Sequence, residues 1–306
     1  MRDRPNATTG LAPSEASEST LARSYQVTPR WLDFLRRFRR SKAAVVGLVL
    51  LVLLVLMAIF AQAIAPSDPT AVNPVNALYS PGFPYLFGTD QYGRDVLSRV
   101  IFGSRISLVI GLISVGIAAA FGVTIGLISG YYSRWVDSVL MRLVDIMLAF
   151  PGILLALAIV SILGPSITNL MVAVGISSIP VYARLTRGSV LSAREALYVD
   201  AARATGVPNR LILWRHLLPN VVTPIIVAAT LGVGAAILVA ASLSFLGLGA
   251  QPPTPEWGRM LSDGRAYLEY QWWISTFPGL AIMVTVLATN MFGDGLRDSL
   301  DPRLKV

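Results

Sequence analysis

Residue types that carry chemistry are scarce in this chain of 306 residues, which has no cysteine, one histidine and two lysines. The lack of cysteine excludes disulfides, thiolate nucleophiles and cysteine-bound metals. His216 alone cannot build a multi-histidine site, and there is no H-E-x-x-H motif. We therefore predict no catalytic residue and no metal site, which disfavours an intramembrane hydrolase.

The positions of the two lysines show whether the chain has a phosphate-binding loop for nucleotides. Neither Lys42 nor Lys305 follows a glycine, so the phosphate-binding loop G-x-x-x-x-G-K-[ST] is absent. Any ATP that acts on this protein must therefore be bound by a partner.

Charged residues make up only 14% of the chain and hydrophobic residues 54%, with a mean hydropathy of +0.64. An average soluble domain has about 25% charged residues, so this composition indicates a lipid environment. Six apolar stretches fill most of residues 43–293 and leave no room for a sizeable soluble domain. The predicted spans are residues 43 to about 65, 106–133, about 135–162, about 168–182, about 217–242 and about 272–292.

The net charge of +8 would raise the question of nucleic acid in a soluble protein. Here the basic residues flank the apolar spans, so we predict a lipid bilayer as partner and no nucleic acid. With six spans and the N-terminus inside, cytoplasmic segments hold 16 Lys and Arg against 5 in external ones. The prediction is an all-α polytopic membrane protein with both termini cytoplasmic.

The pattern divides the chain into four parts. Residues 1–28 are predicted to be a disordered cytoplasmic tail, and 29–42 an amphipathic helix on the cytoplasmic membrane face. Residues 43–296 form the six-helix domain, and 297–306 a cytoplasmic tail. Helix-breaking or small residues within the spans mark either a pathway or close helix packing; they are Pro151, Gly175, Pro180, Pro224, Gly232 and Gly234.

The loop at about 190–219 predicts a helical hairpin. Residues 191–205 suit a helix, Gly206 suits a left-handed C-terminal cap, and Pro208 can open a second helix. Ala201, Ala202 and Ala204 would leave a nearly side-chain-free surface beside Gly206 for another protein. Alternatively, the arginines of an ordinary loop helix would meet lipid phosphates; they are Arg194, Arg203, Arg210 and Arg215.

Asp200, Ala201 and Ala202, followed by Gly206 and then by Leu218 and Pro219, resemble the E-A-A-x3-G-x9-I-x-L-P signature of permease subunits of ABC importers. Asp200 keeps the carboxylate of the usual Glu. His216 stands at the Ile position, which is similar to the R-H-x-L-P form of the peptide-type branch.

Further motifs resemble the dipeptide, oligopeptide and nickel importer permeases, and the resemblance covers about residues 30–306. They are Phe87, Gly88, Thr89, Asp90, Gly93, Arg94 and Asp95 before the second span, M-R-L-V-D-I-M-L-A-F-P at 141–151, S-F-L-G-L-G at 244–249, and G-D-G-L-R-D-S-L-D-P-R-L at 293–304.

The resemblance implies a type I ABC importer permease in a bacterial or archaeal plasma membrane. Its partners would be a second homologous permease chain, two cytoplasmic ATPase subunits that carry ATP and Mg, and an extracytoplasmic solute-binding protein. Asp200, Ala201, Ala202 and Gly206 would form the coupling helix, and Leu218 and Pro219 would join it to span five. The solute would be a dipeptide or oligopeptide, or else a nickel chelate, glutathione or a sugar. A secondary transporter is the remaining alternative.

Two features bear on the pathway. Arg142 and Asp145 lie three residues apart in span three and can pair on one helix face or line a pathway. The external segments 73–99 and 247–270 are candidates for contact with the binding protein, unless Trp257, Trp272 and Trp273 serve as lipid-facing anchors.

Overall fold

The computed structural model describes residues 30–132 and 134–300, and the predicted tail at 1–28 lies outside this part. The described chain is built from helices, which we label α1 (Arg30–Arg40), α2 (Lys42–Ile59), α3 (Val96–Tyr132), α4 (Arg134–Leu148), α5 (Gly152–Leu163), α6 (Ile167–Ala193), α7 (Leu197–Ala204), α8 (Asn209–Phe245), α9 (Trp257–Gly264) and α10 (Trp273–Leu300). Short helical turns at Ala61–Ile64, Pro74–Asn76 and Arg265–Tyr267 lie in the connections.

Membrane-length helices confirm the polytopic architecture. In the described part of the chain, α2, α3, α6, α8 and α10 are each long and apolar enough to cross a bilayer, and α4 with α5 forms a sixth, bent candidate. Both α3 and α8 have 37 residues, or about 55 Å at 1.5 Å per residue, and so exceed a bilayer core of about 30 Å. The final helix continues to Leu300, so the predicted C-terminal tail begins as helix.

Span three is broken rather than continuous. Its two halves, α4 and α5, meet at an angle of 88°. Pro151 precedes α5 with a ψ of 133°, and a proline both lacks an N–H and disfavours helical backbone in the residue before it. The predicted span at about 135–162 therefore consists of two helices, with the break at Pro151, one of the breakers that the sequence indicated.

Glycines bring α3 and α6 into the closest helix packing of the described fold. A Cβ added at Gly122 would lie 2.8 Å from the Ile179 carbonyl oxygen, and one at Gly130 would lie 2.8 Å from the Val190 Cβ. Gly126, between them, faces the backbone of α6 near Ala183. Three glycines at four-residue spacing thus form one face, the small-residue arrangement by which membrane helices approach closely.

The breakers predicted in the other spans serve packing rather than unwinding. Both α6 and α8 run on through Pro180 and Pro224. Gly175 faces Ile117 of α3, and a Cβ there would lie 2.8 Å from that side chain. Gly232 and Gly234 face Tyr182 and Thr289 in the same manner. Of the two readings left open by the sequence, close packing is the one observed.

A matched pair of glycines on α3 tests this packing. We expect Gly126→Leu to lower the thermal stability of the detergent-solubilised protein strongly, because its Cβ would meet the Thr186 Cβ at 2.6 Å and the Arg187 nitrogen at 2.9 Å. Overpacking of this kind costs about 1–3 kcal/mol or more. Gly116→Leu on the same helix meets no atom within 4 Å and should be tolerated. Equal melting temperatures and membrane abundance for the two variants would contradict this role of the glycine face.

Candidate functional site

The hairpin between spans four and five is a compact, capped unit. Helix α6 ends at Ala193, residues 194–196 form a turn, and α7 follows, so the predicted single helix over 191–205 is interrupted. Gly206 has a φ of +76°. Its N–H donates to the Arg203 carbonyl at 3.0 Å, and the Val207 N–H donates to the Ala202 carbonyl at 3.1 Å. This pair of bonds is the Schellman arrangement, and the predicted left-handed cap at Gly206 is confirmed.

The inner side of α7 packs on the body of the protein. Val199 and Ala202 are buried in a cluster with Ile212 and Leu217 of α8 and Val190 of α6. Ala202 is 6% exposed. It therefore cannot belong to a docking surface, and the predicted face of three alanines is wrong on this point. Helical periodicity explains the difference, since residues 199 and 202 share one side of α7 while 201 and 204 lie elsewhere.

The outer side of α7 is open. Ala201, Ala204 and Gly206 are exposed, and Leu197 is 87% exposed at the start of the helix. Leu197 thus stands as one large apolar side chain on a surface that is otherwise formed by small residues. We call the exposed set Leu197, Ala201, Ala204 and Gly206 the hairpin face.

Charges surround the hairpin face. The exposed Asp200 carboxylate lies 3.4 Å from the Arg203 guanidinium. Together with Arg194 and Glu195 they line a polar hollow of about 400 Å³. Exposed pairs of this kind contribute about 0–1 kcal/mol, so their charges remain available to a partner.

Leu218 and Pro219 lie inside a helix rather than between two. The first residues of α8 include a π-helical stretch, Ile212–Leu217, and the helix then continues to Phe245. Proline has no N–H for the carbonyl four residues earlier and its ring crowds that carbonyl, which fits a widened turn just before Pro219. Leu218 and Pro219 therefore belong to the long helix that carries span five, and the connection to α7 is the capped turn at residues 205–208.

On the opposite side, the motif that starts at Phe87 forms a buried ion network. The Asp90 carboxylate accepts from the Arg94 Nε at 2.6 Å and lies 3.6 Å from the Arg99 Nε. Arg94 also lies 3.7 Å from Asp263, which pairs with Arg259 at 2.9 Å. Asp90, Arg94 and Arg99 are each at most 3% exposed. Opposite charges so deeply buried must be paired to be tolerated.

The other motif residues shape the turn around this network. Phe87 stacks on Phe277 with ring centroids 3.8 Å apart. Gly88 and Gly93 adopt φ values of +72° and +71°, which favour glycine. The Thr89 hydroxyl accepts from the Tyr79 N–H at 2.8 Å. Asp95 accepts from the Ser98 N–H at 2.8 Å and so caps the start of α3.

The two segments that were predicted to be external form a single folded cap. The Arg99 guanidinium donates to the carbonyls of Pro69 and Pro253, at 3.0 and 3.2 Å. Trp273 donates to the Thr89 carbonyl and Trp257 to the Val100 carbonyl. Both indoles are buried, so lipid anchoring is wrong for these two, whereas Trp272 is 50% exposed.

Arg142 and Asp145 do not pair with each other. Asp145 binds Arg184 of α6 at 2.7 Å, and Asp137 binds Arg187 through two contacts of 2.6 Å. The predicted partner is wrong because two arginines on the adjacent helix approach these carboxylates, while Arg142 points away and is exposed. Sequence reasoning that compared only neighbours on one helix missed Asp137, Arg184 and Arg187; carboxylates at helical spacing in an otherwise apolar span were the available signal.

The architecture defines a class: a polytopic helical permease with an exposed, capped hairpin between its fourth and fifth spans. The chain belongs to the family described as binding-protein-dependent transport system inner membrane component, which matches residues 122–306. The N-terminal transmembrane domain of oligopeptide transport permease C matches residues 29–81. The chain is thus a non-enzymatic permease subunit of the ABC importer class in a bacterial inner membrane.

Individual relatives span nearly the whole chain. The dipeptide transport system permease protein DppC of Alkalihalophilus pseudofirmus is 49% identical over 92% of each chain. The glutathione transport system permease protein GsiD of Pectobacterium atrosepticum is 45% identical over 92% of this chain and 94% of its own. An inward-facing structure of the MetNI methionine ABC transporter superposes with a TM-score of 0.54 at 16% identity, over 67% of this chain and 98% of that one. That likeness concerns the fold alone.

Removal of one charge tests the ion network around Asp90. We expect Asp90→Asn to lower the melting temperature and the membrane abundance, because it removes the anion that the buried Arg94 and Arg99 share and leaves Arg94 with the longer contact to Asp263, at 3.7 Å. Loss of one partner of a buried ion pair costs about 3–5 kcal/mol. Asp68→Asn is the control, since this exposed carboxylate in the same segment bonds only to Thr70 and Ala71. Matching behaviour of the two variants would show that the network does not stabilise the cap.

Glu256 offers a second test of the cap. Its carboxylate accepts from the Gly258 and Arg259 N–H groups, each at 2.8 Å, and burial raises the pKa of this carboxyl against the effect of those bonds. A raised pKa means that the folded state holds its proton more firmly, so this group's contribution to stability is lost as pH rises through the folded pKa.

We expect Glu256→Gln to retain most of the stability and to remove this pH-dependent part, because the amide keeps one acceptor without charge. Glu256→Ala loses the helix cap, worth about 1–2 kcal/mol. Melting curves from pH 4 to 8, with the exposed Glu269→Gln as control, would measure both. A Gln variant that is as unstable as the Ala variant would refute the assignment.

Proposed function

We propose that this chain forms half of the translocation pathway of an ATP-driven importer for small peptides. A second homologous permease chain would form the other half, and an extracytoplasmic binding protein would deliver the solute. Two cytoplasmic ATPase subunits would carry ATP and Mg, since this chain has no phosphate-binding loop. The names of the relatives support dipeptides and glutathione, both of which offer a free amino group, a carboxylate and a peptide bond.

The observation that carries this proposal is the hairpin face. An exposed leucine beside small residues and a capped turn suits insertion into a groove of another protein, as the resemblance to coupling helices implies. Asp200 lies at its rim and would meet a basic group of the ATPase. A bilayer is a poorer occupant for the face, because this carboxylate stands at its rim.

The packing behind the hairpin face suits transmission of force. Val199 and Ala202 contact α8 directly, and the Tyr131 hydroxyl at the end of α3 donates to the Asn209 side chain at 2.6 Å. Closure of the ATPase dimer would therefore push on two long helices at once. ATP would shift the permease between two states by binding one of them more tightly.

Gly206→Arg tests the coupling role. No atom lies within 4 Å of a Cβ added at Gly206, so the arginine has room within this chain but would occupy the hairpin face. We expect loss of solute-stimulated ATPase activity in the reconstituted importer at normal membrane abundance. Gly206→Asn is the control, because asparagine tolerates a positive φ and stays small.

The two variants separate strain from docking. If both variants lose activity, the loss results from strain in the left-handed backbone at residue 206 rather than from a blocked docking surface. Full activity of the arginine variant at normal membrane abundance would contradict a coupling role of the hairpin face. The ligand carried by the co-purified binding protein would then decide between dipeptides, glutathione and the alternatives, nickel chelates and sugars.

A further inference from the structure

An open groove lies between α2, α3, α8 and α10 and has a volume of about 620 Å³. Its walls are almost entirely apolar and include Leu51, Val55, Leu108, Leu112, Val233 and Phe292. Two threonines also line it, but the Thr230 hydroxyl donates to the Ile226 carbonyl at 2.9 Å and the Thr289 hydroxyl to the Thr285 carbonyl at 3.0 Å. The walls thus suit a hydrocarbon chain.

One cation, Arg105, stands among the described residues that line the groove. Its Nε donates to the Ala58 carbonyl at 3.0 Å, and its Nη2 donates to the Ile59 carbonyl at 3.1 Å. These two hydrogen bonds cap the last turn of α2. A guanidinium has five N–H groups, so three remain that bond to no described residue. No carboxylate of the described chain pairs with Arg105, whose positive charge is therefore uncompensated.

The position of Arg105 matches the level of lipid headgroups. Helix α2 has 18 residues and so a length of about 27 Å, close to the bilayer core of about 30 Å. Arg105 binds its end at Ile59, opposite the basic helix α1. From there the groove follows α2 back to Leu51, about 12 Å along the helix. A phosphate at Arg105 would thus have an acyl chain directly beneath it.

We propose that this groove binds an anionic glycerophospholipid, with its phosphate on Arg105 and one acyl chain between α2, α3 and α8. Charge complementarity favours this occupant over the face of another protein chain, which would have to bury the guanidinium against apolar walls. The lipid would hold α2, a peripheral helix, against the rest of the domain. The inference does not depend on the transported solute.

The absence of cysteine from this chain allows a direct test. Val109→Cys places a bimane label in the groove, and Leu53→Cys places one on an exposed part of α2 that does not line it and lies about three turns from Lys42 and the basic helix α1. The whole importer, with any partner cysteines replaced, is reconstituted in phosphatidylcholine vesicles that contain increasing fractions of phosphatidylglycerol with brominated acyl chains. A bromine atom on an acyl chain quenches the fluorescence of a bimane label that it contacts.

We expect half-maximal quenching at Val109→Cys at a phosphatidylglycerol fraction about fivefold lower than at Leu53→Cys, the selectivity expected of one basic side chain at a membrane surface. Arg105→Gln should remove this difference and leave the Leu53→Cys curve unchanged. Val233→Phe, which fills the groove and keeps Arg105, should also remove it. Melting temperatures show whether each variant is folded.

Three outcomes would overturn the proposal. Equal curves at the two labels mean bulk lipid alone, and a difference that survives Arg105→Gln in folded protein means that the arginine does not bind the phosphate. Absence of quenching at Val109→Cys, with normal quenching at Leu53→Cys, means that a protein chain covers the groove.

Discussion

The glycine face of α3 is the constraint on which the rest of the hairpin half of the protein depends. Gly122, Gly126 and Gly130 let α6 lie against α3 at backbone distance. Once α6 is fixed there, its arginines reach the carboxylates of α4, and Val190 at its end enters the core of the hairpin. A dense, side-chain-free contact is suited to this purpose, because packing rather than the hydrophobic effect holds helices together in lipid.

The ion pairs of the cap and of the hairpin side differ in burial. In the cap, Asp90, Arg94 and Arg99 are buried and depend on one another, so they hold the cap in one arrangement. On the hairpin side the Asp145–Arg184 pair is more than half exposed, and such pairs contribute little. The Asp137–Arg187 pair, with two contacts of 2.6 Å and less exposure, is therefore the stronger charged link between α4 and α6.

How much the sequence could predict follows from the range of the interactions involved. The span positions and the cap at Gly206 depend on local composition and backbone conformation, and both were predicted. The burial of Ala202, the pairing of Asp145 with Arg184 and the enclosure of Trp257 depend on which helices become neighbours. The break at Pro151 lay between these cases: the residue was recognised, but the 88° angle is set by the packing of α5 on α6.

These contacts suggest where motion could enter the molecule. If α7 receives the ATPase, its buried side pushes on α8 through Ile212 and Leu217, at the π-helical stretch. A widened turn is a point where a helix can bend without losing its hydrogen bonds elsewhere. The glycine face would carry the same push into α3, whose far end is fastened to the rigid cap. Bending at this turn, with α3 and α6 moving as one unit, therefore demands the least repacking.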